Sequence, residues 1–100
     1  MKYRVQISQL ASEQIDEAYL WLAQQTENAW AWHEGLMDAI ASLEDNPLRC
    51  PHIPEDEDLL REARHLLYGG KWHAYRIIFE VSGDVVTVMQ IRHGARKGLR

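Results

Sequence analysis

The sequence predicts an α+β fold of order β-α-α-β-β-β, with a helical hairpin packed on one face of a twisted, mainly antiparallel four-stranded sheet. Three observations lead there. Apolar residues alternate with period two near the start, change to a helical period from about Gln9, and return to strand-like runs after residue 60. Asn46-Pro47 and Gly69-Gly70 interrupt the pattern where elements should end. Ser82-Gly83-Asp84 joins the last two runs as a tight hairpin. One hundred residues make a single domain, 1–100.

The first strand spans residues 2–8, with Tyr3, Val5 and Ile7 on one side and polar residues on the other. Ser8 offers an N-cap for the next element. From about Gln9 to Gln25, Ile15, Ala18, Tyr19 and Leu22 recur on one helix face. Thr26 is placed to cap a second helix, whose apolar face is Ala29, Trp32, His33, Leu36, Ile40 and Leu43, and which ends at Asn46-Pro47. Residues 47–60 hold all three prolines and the acidic run Glu55-Asp56-Glu57-Asp58, and read as a loop. Three strands follow, "EARHLLYG", "WHAYRIIFEV" and "DVVTVMQIRH", as an antiparallel meander. In the second of these, Tyr75, Ile77, Phe79 and Val81 form the expected core face. Ala74, Arg76, Ile78 and Glu80 take the other, partly open face.

Composition narrows the function classes. The longest apolar runs are too short to span a bilayer, and "MKYRVQIS" lacks the apolar stretch of a signal peptide, so a cytoplasmic protein is expected. Cys50 is the only cysteine, which leaves no internal disulfide. With His52 it supplies two potential ligands where zinc needs three or four, so neither metal nor cofactor is expected. Residues 1–62 carry a balance of −9 and residues 63–100 one of +5, within a net charge of −4. Such a division concerns partners more than fold, and it points to a basic working surface on the C-terminal part.

Few residues stand out as chemistry. Arg76 sits mid-strand between apolar neighbours, where a guanidinium needs an anionic partner: a bound phosphate or carboxylate, or Glu80 on the same face. His93 could move protons near neutral pH, and with Arg76 and Arg96 could serve RNA cleavage; a turn histidine is the plainer alternative. Arg92, Arg96, Lys97 and Arg100 make a cationic end, a weak nucleic-acid signal. Trp21 and Trp30 fall off the core stripes, either as exposed interface residues or as packing between the helices.

Taken in order, "IDEAYLWLAQQ", "SLEDNPLRCP", "RHLLYGG", "YRIIFEV", the Gly-Asp turn and "VMQIRHGARK" resemble the RelE/ParE superfamily of type II toxins, often called plasmid stabilisation proteins. The resemblance covers nearly the whole chain, most specifically at Arg64 with Leu66, Tyr75-Arg76-Ile77 and Ile91-Arg92-His93-Gly94-Ala95-Arg96. It implies a cognate antitoxin whose C-terminal segment folds on binding. It implies one of two activities, ribosome-dependent mRNA cleavage or inhibition of DNA gyrase. The further lysines of the nucleases are not evident, "EARHLLYGGKWH" offering Arg64, His65, Lys71 and His73 instead, and the "HGAR" ending looks ParE-like. The expectation is therefore a ParE-like gyrase inhibitor rather than an enzyme. The alternatives are a RelE-like endoribonuclease acting with ribosome and mRNA through Arg76, His93 and Arg96, or a degenerate member that only binds antitoxin. The expected contact surface is Arg64, Lys71, Arg76, Arg92, His93, Arg96 and Lys97, with Trp21 and Trp30 on the hairpin. A homodimer and a toxin–antitoxin hetero-oligomer are both open as assemblies.

Overall fold

The computed structural model describes residues 2–53, 62–69 and 74–93. The acidic run Glu55-Asp56-Glu57-Asp58 and the predicted site residues Lys71, Arg96 and Lys97 lie outside them, as does Arg100. The elements are β1 Arg4–Ile7, α1 Gln9–Ala23, α2 Ala29–Ala41, β2 Arg64–Tyr68, β3 Tyr75–Ser82 and β4 Val85–His93, with 3₁₀ turns at Ser42–Glu44 and Pro47–Arg49. The sheet order is β1-β4-β3-β2. The meander β2-β3-β4 is antiparallel, as its sequence predicts, and β1 lies parallel to β4 at the edge.

Local chemistry accounts for most boundaries. Ser8 caps α1, its side chain accepting from the Ala11 N–H. The hairpin turn has Gly83 at φ 61, and Asp84 is not among the residues of positive φ. That is the pattern of a II′ turn, whose first central position favours glycine. The second helix departs from its expected limits. Thr26 does not cap it, because the Thr26 hydroxyl accepts from the Asn28 N–H in a local turn, and α2 starts at Ala29, with Asn28 two residues on in the cap position. Nor does α2 run to Asn46. It ends at Ala41, where the Ser42 hydroxyl donates to the Ala39 carbonyl and the chain tightens into a 3₁₀ turn. Leu43 still reaches the core from that turn and is fully buried. Asn46, before Pro47, takes the left-handed conformation at φ 51.

The core lies between the hairpin and one sheet face. Ala11 and Ile15 of α1, Leu36 and Ile40 of α2, and Ile77, Phe79, Val86 and Val88 of the sheet are buried together. Each of the larger side chains, from Val to Phe, contributes roughly 1.5–3 kcal/mol on burial. The other sheet face is more covered than its sequence suggests. Ile78 is fully buried there in a second cluster with Ile53 and Ala63, against which Met89 packs. The 51–53 segment reaches it by pairing with the outer edge of β2: Ile53 N–H donates to Ala63 C=O and His65 N–H to Pro51 C=O. Among the described residues, no helix is long and apolar enough to cross a membrane.

One close approach joins helix and sheet. The Tyr68 hydroxyl of β2 donates to the Trp32 carbonyl of α2 at 2.9 Å, and passes over Gly35 to do so. A Cβ at Gly35 would collide with that hydroxyl and press on its ring. Burial, then Asp38, raises the Tyr68 phenol above its ordinary pKa. Tyr68 therefore contributes stability that is complete below the ordinary tyrosine range and lost as pH rises through the raised value. In an open helix Gly→Ala stabilises by about 1 kcal/mol. Here Gly35→Ala should instead destabilise by roughly 1–2 kcal/mol. Chemical denaturation of Gly35→Ala, Tyr68→Phe and the double variant checks this. The double variant should be less destabilised than the sum of the two, since removing the hydroxyl removes the collision.

Candidate functional site

Two adjacent rows of side chains cross the sheet near the C-terminal end of β4. Tyr68, Tyr75 and His93 stand opposite one another on β2, β3 and β4, as do Leu67, Arg76 and Arg92. Directly paired residues share a face, and neighbours along a strand take opposite faces. The tyrosine–histidine row therefore faces the helices, and the leucine–arginine row faces away from them. Packing agrees. Tyr75 belongs to the hairpin-side core, while Ile78, two residues from Arg76, belongs to the cluster on the other face.

A β-bulge sets this division. Ile78 pairs with Gln90 and Phe79 with Val88, which leaves Met89 as an extra residue of β4. Without it, continued alternation from Val86 and Val88 would direct Gln90 and Arg92 at the helices. With it, Ile91 and His93 take the helix face and Arg92 joins Arg76. The bulge is tied to α1. Ser8 N–H donates to Val88 C=O at 2.9 Å, and the Ser8 hydroxyl donates to Met89 C=O at 3.1 Å while accepting from Ala11 N–H. Gln14 Oε1 accepts from Ile91 N–H at 2.7 Å. The pairing of β1 ends at Ile7–Val88, so these two side chains serve the β4 edge where β1 has run out.

On the open face, Arg76 and Arg92 are half-buried and directly paired. Like charges in that position are unfavourable for the isolated sheet, and favourable toward an anion that both can reach. Gln90 orients Arg92 by accepting from its Nε at 3.0 Å. Leu67 ends the row with most of its surface exposed. The ion pair between Arg76 and Glu80 is not formed. Among the described residues the ion pairs are those of Lys2 with Glu44 and Asp45.

The remaining predicted site residues are dispersed. His93 is the last residue of β4, its ring edge-to-face with Tyr75 at 4.9 Å. It lines a groove of about 380 Å³ beside α1 with Gln14, Glu17, Trp21 and Ile91. Arg64 is on the helix side at the sheet edge, where its Nη1 donates to Cys50 C=O at 2.6 Å and Leu48 C=O at 3.3 Å. It clips the 47–50 turn to β2, and burial pushes the neighbouring Cys50 thiol up from its ordinary pKa. Trp21 and Trp30 are both exposed, but they rim different grooves on the two flanks of α1. Trp32, by contrast, is packed on Tyr75 and Tyr68. His65 pairs with Ile78 on the open face, so among the described residues it is the imidazole on the same face as the two arginines. Leu67 and Gln90 are the members of this face that sequence patterning does not point to; the break of period two at Met89 is the signal that places Gln90 with Arg92.

Comparison with known proteins gives two positive findings. A family model described as the ParE toxin of the type II toxin–antitoxin system parDE matches residues 5–98. Among solved structures, the chain is similar to one described as the chromosomal ParDE TA system from P. aeruginosa, with a TM-score of 0.74 and 15% identity over 92% of this chain and 96% of that one. At that identity the likeness concerns the fold. No curated protein matches by sequence.

Arg64→Met removes both carbonyl contacts and leaves Cys50 C=O without its donor. It should lower stability by about 1.5–3 kcal/mol. Arg64→Lys should recover less than half of this, because an ammonium cannot reproduce the guanidinium's fixed geometry. Urea denaturation of the two variants measures both effects.

Proposed function

The chain belongs to the ParE toxin family of type II toxin–antitoxin systems, and from this we propose that it inhibits DNA gyrase in the cytoplasm and is neutralised by a cognate antitoxin. The family match over residues 5–98 carries the reading. Its contact surface in this proposal is the open sheet face around Arg76 and Arg92, with Leu67 as an apolar neighbour. Lys71, Arg96 and Lys97, contacts expected from the sequence, lie outside the described residues. The antitoxin, binding as a segment that folds on the toxin, takes the exposed Trp21 and Trp30 of the hairpin as further anchors.

One observation weighs for a binding toxin over a nuclease. Cleavage through a 2′-hydroxyl needs a proton-transfer group and cations around one phosphate. His93 faces the helices and Arg76 and Arg92 face away, so the sheet lies between them. Among the described residues, the imidazole that shares the open face with the arginines is that of His65 rather than His93, so a nuclease reading would turn to His65. That specific possibility keeps mRNA cleavage as the second reading.

The test is gyrase supercoiling of relaxed plasmid with purified protein added. The expected result is dose-dependent inhibition that the antitoxin relieves. Folded protein that leaves supercoiling untouched but cleaves mRNA on ribosomes, and loses that cleavage in His65→Ala, would replace this proposal with the second reading. Folded protein inert in both assays would leave an antitoxin-binding member without toxicity.

A further inference from the structure

The second flank of α1 carries a feature that target binding does not use. A groove of about 330 Å³ lies between the two helices, lined by Asp16 and Tyr19 of α1 and Trp30, His33 and Glu34 of α2. Its chemistry is one-sided. Each helix supplies one carboxylate, and the apolar walls are aromatic. Tyr19 and His33 hold each other edge-to-face, with ring centroids 5.6 Å apart and planes at 78°. Trp30 stands at the rim, 59% exposed.

No cation of the hairpin can serve these carboxylates. Residues 5–48 contain eight Asp and Glu and not one Lys or Arg. Among the described residues, neither Asp16 nor Glu34 is in an ion pair. The negative potential of the groove is therefore uncompensated from within the hairpin. A divalent metal is a poor guest, since among the described residues no three His, Cys, Asp or Glu come together to hold one. Aromatic walls with flanking carboxylates suit an organic cation instead. A guanidinium or ammonium gains from the ring face and from both charges, and its alkyl stem covers the apolar wall.

We infer that this groove receives an arginine or lysine side chain from a basic segment of a partner protein. Charge complementarity selects the cation. The exposed tryptophan and the groove's size select a side chain carried on a polypeptide that also covers the rim. The inference does not depend on the identity of the toxin's target.

The experiment is an NMR titration of the isotope-labelled full chain with a capped hexapeptide holding one arginine among leucines. Its twin, with neutral isosteric citrulline in place of arginine, is titrated in parallel. The arginine peptide should shift the Trp30 indole signal and the amides of Asp16 and Glu34. The citrulline peptide should bind about fivefold more weakly or worse, the scale of a surface cation–π contact. Asp16→Asn and Glu34→Gln should each weaken the arginine peptide by a similar factor without changing the melting temperature. Equal binding of the two peptides, shifts confined to other regions, or full binding by both charge variants would overturn the inference. Self-association of the free chain that both variants abolish would also overturn it, because the occupant would then be a second copy.

Discussion

Strand β4 carries one residue more than β3 can pair, and the placing of that residue orders the rest of the molecule. Met89 is absorbed as a bulge. The alternative, unbroken alternation, would turn Gln90 and Arg92 into the helix-facing core, where an unpartnered charge costs several kcal/mol even after relaxation. The bulge instead sends Ile91 inward and Arg92 outward. The start of α1 holds it there. Ser8 is at once the helix cap, the last link from β1 to Val88 and the donor to Met89 C=O. Gln14, two turns further along the helix, accepts from Ile91 N–H. The helix thus fixes which face of the strand each C-terminal residue takes.

From this follows a molecule with two unlike surfaces. The helical side is acidic and carries exposed tryptophans, with grooves on both flanks of α1. The open sheet side is basic where Arg76 and Arg92 meet. Under the proposed function, blocking a large partner needs only a surface of the right charge and shape, and an antitoxin would silence the chain by covering either surface or both.

Much of this fold is legible in the residues. The period-two run Tyr3, Val5, Ile7, the cap at Ser8, the stripe through Ile15 and Leu22, and the alternation from Tyr75 to Val81 are short-range patterns, and each marks its element. What is not legible is long-range. The parallel pairing of β1 with β4 joins residues about 80 positions apart. The burial of Ile78 depends on Ile53 arriving from a distant loop, and the position of Arg64 on two backbone carbonyls that no side-chain pattern encodes. The site suffers most. Arg92 and His93 read as one basic cluster because they are adjacent, yet adjacency in a strand means opposite faces. The turn at Thr26 and the early end of α2 are equally local, but they come from hydroxyl bonds that compete with the helix and that apolar periodicity does not register.

Arg76 and Arg92 share one face of the sheet and His93 takes the other, and the proposed gyrase contact uses the first. The most direct measurement is the concentration of purified Arg76→Ala, Arg92→Ala and His93→Ala protein needed to inhibit gyrase supercoiling by half, with thermal melting as a control for folding. Each arginine variant should need at least about tenfold more protein, as for the loss of a charge-assisted contact. His93→Ala should inhibit nearly as well as the natural chain. Folded arginine variants that inhibit normally, beside a folded His93→Ala that does not, would contradict the proposed contact.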